Sequence, residues 1–137
     1  MALRAYLVED SALVFERLGE LLEEIGVKLV GSADEATNAI AAIGALRPDV
    51  VVIDIALREG TGLHVLKEIG ELPEEDRPVR IVLTNFSRQW YRDAAMRLGA
   101  EYFFDKSSEI PQLIDVLRSM SPAELRVPAP GRAPVHV

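Results

Sequence analysis

The chain has 137 residues, enough for one domain with a hydrophobic core and too few for two ordinary domains. Hydrophobic residues make up 49% of it and charged residues 27%, and the formal net charge of -7 argues against nucleic acid as its partner. No run is long and apolar enough to cross a membrane, and the first ten residues do not form a signal peptide. There is no cysteine for a disulfide or a thiolate site. We therefore expect a cytoplasmic protein.

Five short apolar runs, each of which predicts a β-strand, alternate with segments of helical period. They cover residues 3–8, 27–33, 50–54, 79–84 and 102–105. Three of the runs are almost continuous in Val, Ile and Leu, as strands are when helices cover both faces of a parallel sheet.

The segments between the runs carry apolar side chains at helical spacing. The first four stripes are Val14, Leu18, Leu21, Leu22 and Ile25; Ala36, Ala39, Ile40 and Ile43; Gly62, Val65, Leu66 and Ile69; and Tyr91, Ala94, Ala95 and Leu98. Gly99 is a stop signal for the fourth helix, and a fifth helix is predicted from about Pro111 to about Met120. Repeated βα units predict an α/β domain over residues 1–120, with helices on both faces of a parallel sheet. Residues 121–137 form a Pro-rich tail, too short for an effector domain.

Ligands of such sheets bind outside the carboxyl ends of the strands, where this sequence places polar residues. Glu9 and Asp10 end the first run, Asp54 the third and Thr84 the fourth, while Lys106 follows the fifth. Three carboxylates together repel one another unless a cation intervenes, and oxygen ligands without Cys or His suit Mg²⁺ rather than Zn²⁺. Each residue alone has an ordinary role as a helix cap, strand former or surface charge. Together they supply what phosphoryl transfer to a carboxylate uses: a nucleophile, a metal ion, an ammonium group and a hydroxyl.

This set of residues, with its strand context, resembles the receiver domain of two-component response regulators, of the stand-alone type. The resemblance covers about residues 3–120 and rests on the segments LVED, VVVIDIALREGTG, IVLTN and GAEYFFDK. It implies a flavodoxin-like (βα)5 three-layer sandwich with strand order 2-1-3-4-5.

The resemblance also implies a role for each acidic residue. Asp54 would be the nucleophile that takes the phosphoryl group. Asp10 would bind Mg²⁺ directly, together with Asp54 and the backbone carbonyl of Ala56. Glu9 would act mainly through a water on the ion.

Three further residues would respond to the phosphoryl group. Thr84 would move to donate a hydrogen bond to a phosphoryl oxygen, and Lys106 would form an ion pair with it. Phe103 occupies the family's switch-aromatic position and would turn inward as Thr84 vacates space.

The sequence departs from the family pattern in three loops. Arg58 and Ser107 stand where proline is usual, and Asn85 follows Thr84 where a smaller residue is usual. None of these changes removes a catalytic group, so they bear on loop shape and kinetics. We predict a trans peptide between Lys106 and Ser107, because a cis bond before a non-proline residue costs ~2.5–4 kcal/mol.

The family's partners are proteins, and two exposed side chains are candidates for contacting them. A sensor histidine kinase or a histidine phosphotransfer protein would be the donor, the downstream target is unknown, and neither nucleic acid nor membrane is expected. Trp90 is an interface candidate, and Leu13 a candidate for donor docking, although a stray surface leucine is the commoner case. His64 and His136 are expected on the surface, and the chain would be a monomer or weak homodimer.

Three other functions fit the sequence less well. A phosphatase of the haloacid-dehalogenase type needs a second acid where Ala56 stands. A flavodoxin-like cofactor binder needs a phosphate-cradling loop, and the segment EDSALV would repel a phosphate. An unphosphorylated interaction module normally lacks acidic or lysine members of the set, and none is missing here. The chain is therefore expected to catalyse only its own phosphorylation and dephosphorylation.

Overall fold

The computed structural model describes residues 2–120, so the predicted tail and His136 lie outside the described residues. Strands and helices alternate along the chain as the sequence predicted. The strands are β1 Arg4–Val8, β2 Lys28–Ala33, β3 Val50–Ile53, β4 Val79–Thr84 and β5 Tyr102–Asp105. The helices are α1 Ala12–Glu24, α2 Ala36–Leu46, α3 Gly62–Ile69, α4 Gln89–Arg97 and α5 Ile110–Arg118, with one 3₁₀ turn, Glu74–Asp76, before β4.

The five strands form one parallel sheet in the order β2-β1-β3-β4-β5, which confirms the flavodoxin-like fold. Val8 pairs with Ile53, Ile53 with Val82, and Thr84 with Asp105. The carboxyl ends of the four strands β1, β3, β4 and β5 therefore meet at one edge of the sheet. The polar residues that end or follow these strands are brought together there.

Alternate side chains of each central strand enter two separate cores. In β3, Val51 and Ile53 pack on the side of α2, α3 and α4, whereas Val50 and Val52 pack on the side of α1 and α5. All four side chains are at least 97% buried. Burial on both faces explains why this strand is a continuous run of Val and Ile without polar alternation.

Local signals begin and end several of the helices, and Gly99 ends the fourth helix as the sequence predicted. Ser11 and Thr61 accept N–H bonds from Val14 and His64 and so cap α1 and α3. Gly99 has φ +103, a conformation that favours glycine, directly after α4.

The backbone also confirms one prediction from the sequence. Within residues 2–120 every peptide bond is trans, including Lys106–Ser107 as predicted. None of the helices in this part of the chain has the length and apolar character that a bilayer crossing requires.

Candidate functional site

Four strands deliver charged and polar side chains to one buried crevice at the carboxyl edge of the sheet. Lys106 Nζ lies 2.6 Å from Asp54 Oδ2 and 3.0 Å from Glu9 Oε1. Asp54 is 5% exposed and Glu9 8% exposed. The predicted gathering of these residues is therefore what the fold produces, with an ammonium group between two buried carboxylates.

The second oxygen of Asp54 is held by neutral donors. The Thr84 hydroxyl, fully buried at the end of β4, donates to Asp54 Oδ1 over 2.8 Å. The N–H of Ala56 donates to the same oxygen over 3.2 Å. Each oxygen of Asp54 thus has its own donors, which fixes the plane of the carboxylate and presents it at the end of β3.

Burial and charge pairing compete at Glu9 and Lys106. Burial raises the pKa of Glu9, and the hydrogen bonds from Lys106 and the Ser11 N–H lower it only in part. Burial also lowers the pKa of Lys106, but the hydrogen bonds and charges of Asp54 and Glu9 outweigh it, so the net pKa shift of Lys106 is upward. Lys106 therefore remains an ammonium group that faces two acids.

Three carboxylates fit a hard cation at this site. One oxygen each of Glu9, Asp10 and Asp54 lies within 4.8 Å of the others. Asp10 is exposed and, among residues 2–120, has neither a hydrogen bond nor an ion pair, so its carboxylate is available as a ligand. Oxygen donors without sulfur or imidazole suit Mg²⁺.

The start of α3 packs against the backbone of the phosphoacceptor candidate. A Cβ at Gly62 would overlap the carbonyl oxygen of Asp54, and the Gly62 N–H donates to Ile55 over 2.8 Å. The sequence placed Gly62 only on an apolar stripe. Its contact with Asp54 depends on the distance between α3 and β3, and the apolar periodicity of the sequence does not predict that distance.

The loop after Asp54 is fastened to the turn between β2 and α2. The Arg58 N–H donates to the Asp34 carbonyl over 2.9 Å, and the Arg58 guanidinium forms ion pairs with Asp34, over 3.0 Å, and with Glu35. Arg58 is one of the departures from the family pattern, but the sequence does not predict its partners. The adjacent acids Asp34 and Glu35 were the only signal for them.

A chain of contacts leads from Asp54 to the surface of α4. Thr84 Oγ1 accepts the N–H of Phe86 over 3.1 Å. The Phe86 ring lies 5.2 Å from Tyr91, and Tyr91 lies 4.8 Å from Trp90 in a T-shaped arrangement. Trp90 is 64% exposed, as predicted, and Tyr91 is half-buried against the core.

Phe103, the predicted switch aromatic, is buried in this structure. The Arg92 guanidinium carbon lies 4.5 Å from the centre of its ring, and Arg92 Nη1 donates to the Phe103 carbonyl. The family pattern implies that this side chain turns inward on phosphorylation. In this structure it already lies in the interior.

A groove of about 580 Å³ adjoins Lys106 between α1 and the start of α5. Val14 and Leu18 of α1, Ile110 of α5 and the exposed Asn85 line it. Leu13, at the first turn of α1, is 77% exposed, whereas His64 is exposed on α3 away from these groups. The groove gives an approach to the ammonium side of the crevice.

Ser107 makes two hydrogen bonds that a proline at this position could not make. Its N–H donates to Asp105 Oδ1 over 2.8 Å, and its hydroxyl donates to the same oxygen. These bonds, with one from Ser87, hold the pKa of Asp105 below its usual value. The turn is closed while Lys106 still points at the acidic crevice.

Known proteins share both the sequence pattern and the fold. The model of the response regulator receiver domain matches residues 5–118. The uncharacterized transcriptional regulatory protein YvfU of Bacillus subtilis is 32% identical over 117 residues, which are 85% of this chain and 58% of that protein. The chemotaxis protein CheY of Thermotoga maritima is 26% identical over 88% of this chain and 99% of its own length. A two-component response regulator of the LuxR family from an Aurantimonas species has a TM-score of 0.79 at 25% identity, covering 91% of this chain and 86% of that one.

These relatives differ in length, so the shared region is what identifies the chain. It spans just over half of YvfU and nearly all of CheY. The matched region contains all five strands, apart from the first residue of β1, and every residue of the crevice. The chain belongs to the response regulator receiver domains, the phosphoacceptor signalling domains of two-component systems.

Proposed function

We propose that this chain accepts a phosphoryl group on Asp54 from a phosphohistidine donor, with Mg²⁺ as cofactor, and that phosphorylation changes a protein-binding face. One observation carries the proposal: the buried carboxylate of Asp54 has Lys106 on one oxygen and the Thr84 hydroxyl on the other. Two donors from different strands match a group on which negative charge increases.

The transfer needs no oxidant or further reactant. An oxygen of Asp54 attacks the phosphorus of the phosphohistidine, the new P–O bond forms, the P–N bond breaks, and the imidazole leaves and takes up a proton. Lys106 lies 2.6 Å from one Asp54 oxygen and is placed to pair with the charge on the transferred group. Thr84, which now donates to Asp54, would instead donate to a phosphoryl oxygen.

Asp10, Glu9 and Asp54, with the backbone carbonyl of Ala56, are the proposed metal ligands. When bound, Mg²⁺ would neutralise phosphoryl oxygens and hold them in line with the attacking carboxylate. The side chain of Asp10 is free to bind directly. Glu9 already contacts Lys106 and the Ser11 N–H, which supports an indirect role.

Hydrolysis of the phosphoryl group would restore the free carboxylate of Asp54. Water attacks phosphorus, the P–O bond to Asp54 breaks, and inorganic phosphate leaves. Asn85 is exposed and lines the groove beside Lys106, so its side chain stands on a path that water would use. The chain would act on no substrate other than its own phosphoryl group.

The donor would be a sensor histidine kinase or a histidine phosphotransfer protein. The groove beside Lys106, with the exposed Leu13 at the start of α1, is the proposed docking region for it. The face that includes Trp90 would contact the downstream protein, which the residues do not identify. We propose that the receiver is monomeric or weakly dimeric.

Labelling with a small acyl phosphate tests the proposal. Acetyl phosphate and Mg²⁺ should add one phosphoryl group, measured by intact-protein mass spectrometry, and chelation of the metal should prevent it. Asp54→Asn should remain unlabelled. Asp49→Asn is the matched control, because Asp49 is also buried but precedes β3 and lies at the opposite edge of the sheet. Labelling of Asp54→Asn at the wild-type level would refute the assignment.

A further inference from the structure

Arg58 joins two loops through both its backbone and its side chain. Its N–H donates to the Asp34 carbonyl, and its Nε and Nη2 contact the two Asp34 carboxylate oxygens over 3.0 and 3.3 Å. Nη2 also pairs with Glu35. A planar guanidinium that meets a carboxylate with two nitrogens fixes orientation as well as distance.

The contact continues beyond Arg58. The Ala36 N–H donates to the Glu59 carbonyl over 2.9 Å. Gly60, with φ +79, lies so close to Ala36 that a Cβ on the glycine would be 2.6 Å from the Ala36 Cβ. The segment of residues 58–60 therefore lies flat against the turn of residues 34–36.

The last residue of β2, directly before this turn, is also tied to the loop after β1. The Glu9 N–H donates to the Ala33 carbonyl over 2.9 Å. Two loops carry the proposed metal ligands: one contains Glu9 and Asp10, and the other contains Asp54 and Ala56. Both loops are thus anchored to residues 33–36, and Arg58 supplies the side-chain part of the second anchor.

We infer that Arg58 is a positioning residue for the metal site, acting through its ion pair with Asp34 rather than as a charge near the metal. The inference rests on the proposed function, because it assigns Arg58 a role in that same site. The ion pair lowers the pKa of Asp34 and raises that of Arg58, so both groups are charged at neutral pH.

Arg58 could act on the metal site as a charge or as an anchor, and the two predict opposite changes in Mg²⁺ affinity when Arg58 is removed. As a simple positive charge beside an acidic site, Arg58 would repel Mg²⁺, and its removal would tighten metal binding. As an anchor, it holds the Ala56 loop in place, and its removal would weaken metal binding. Arg58→Met keeps the length of the side chain while it removes the charge and the hydrogen bonds, so this variant separates the two.

The first measurement needs no metal. Amide hydrogen exchange in the metal-free protein should be faster at Ala36 and at position 58 in Arg58→Met and in Asp34→Asn. The double variant should exchange no faster than Arg58→Met, since Arg58→Met alone already removes the ion pairs with both Asp34 and Glu35. High salt should speed exchange in the wild type but not in Arg58→Met, because the pair is exposed and screened.

The second measurement is a Mg²⁺ titration followed calorimetrically. Arg58→Met should weaken Mg²⁺ binding by about threefold, the scale expected when an exposed ion pair is lost. Arg58→Lys should lie between the variant and the wild type, because it keeps the charge but not the planar fork. Asp34→Asn should add nothing in the Arg58→Met background.

Two results would overturn the inference. Tighter Mg²⁺ binding in Arg58→Met would show that Arg58 acts as a charge, and unchanged amide exchange in both single variants would show that the ion pair holds nothing. A wild-type protein that binds no Mg²⁺ would instead defeat the proposed function and with it the positioning role. The exchange rates would still decide whether the anchor exists.

Discussion

Glu9 and Asp10 are neighbours in the chain but lie in different surroundings. Glu9 is buried and accepts hydrogen bonds from Lys106 and from the Ser11 N–H. Asp10 is exposed, and within residues 2–120 no other group contacts its carboxylate through a hydrogen bond or ion pair. Adjacent acids at a strand end therefore have different capacities to bind an ion.

This difference predicts unequal losses of metal affinity. Asp10→Asn should weaken Mg²⁺ binding by at least tenfold, because it removes the free ligand. Glu9→Gln should weaken it less, since its oxygens are already occupied by protein donors. A calorimetric Mg²⁺ titration of both variants checks this, with Glu16→Gln, an exposed acid on α1, as control. Equal losses at positions 9 and 10, or a larger loss in Glu9→Gln, would contradict it.

The residues of the crevice could be predicted from sequence because of their position at strand ends. Asp54 follows a run of Val and Ile, and a buried carboxylate there demands partners. The partners of Arg58 could not be predicted, because they lie 23 and 24 residues away in sequence and the contact depends on loop paths. The same holds for Gly62, whose contact with Asp54 requires the distance between α3 and β3.

Two loops, β4–α4 and β5–α5, connect the site to the surface. The β4–α4 loop carries the contacts from Thr84 through Phe86 and Tyr91 to Trp90. The β5–α5 turn is closed by Asp105 and Ser107. Each loop begins beside a residue that contacts Asp54, Thr84 for the β4–α4 loop and Lys106 for the β5–α5 loop.

The fluorescence of Trp90 should report phosphorylation. If Thr84 turns from Asp54 to the phosphoryl group, the N–H of Phe86 follows it, and the Phe86–Tyr91–Trp90 contacts shift. The emission of this single tryptophan should change on phosphorylation, and change less in Thr84→Ala. Thr84→Ser, which keeps the hydroxyl, is the matched control and should respond like the wild type. An unchanged spectrum in fully phosphorylated protein would show that the site and this face are not coupled.

The Ser107 hydroxyl should set the pKa of Asp105. Because the folded-state pKa is below the usual 3.8, the interaction stabilises the turn above that value and is lost as pH falls through the folded-state pKa. Ser107→Ala should raise the pKa of Asp105 toward 3.8, measured by NMR titration of the side-chain carboxyl carbon. Ser108→Ala, which removes a neighbouring hydroxyl whose residue contacts Asp105 only through the backbone N–H, should leave it unchanged. A shift of equal size in both variants would contradict this account of the turn.

At the scale of the whole molecule, the sheet is buried on both faces and its strands were visible as apolar runs. The elements and the parallel sheet followed from period and alternation along the chain. The strand order did not, because βα units of this length are compatible with more than one order; it came from the family resemblance. Pairing of β1 with both β2 and β3 is what places Glu9 beside Asp54.

Two glycines in helices should differ in their effect on global stability. Gly62→Ala should destabilise the protein by roughly 2 kcal/mol or more, because the new methyl group overlaps the Asp54 carbonyl. Gly44→Ala, on the exposed face of α2 with nothing within 4 Å of the added carbon, should stabilise it by about 0.5–1 kcal/mol. Urea unfolding followed by circular dichroism measures both. A neutral Gly62→Ala would show that α3 can move away from β3 without cost.

The position of the phosphoryl group tests the central claim most directly. An aspartyl phosphate is a mixed anhydride, and borohydride reduces it to an alcohol that peptide mass spectrometry can locate. After reaction with acetyl phosphate and Mg²⁺, we expect reduction at Asp54 and at no other acid of the crevice. Reduction at Glu9 or Asp10, or a labelled protein in which Asp54 is untouched, would contradict the account.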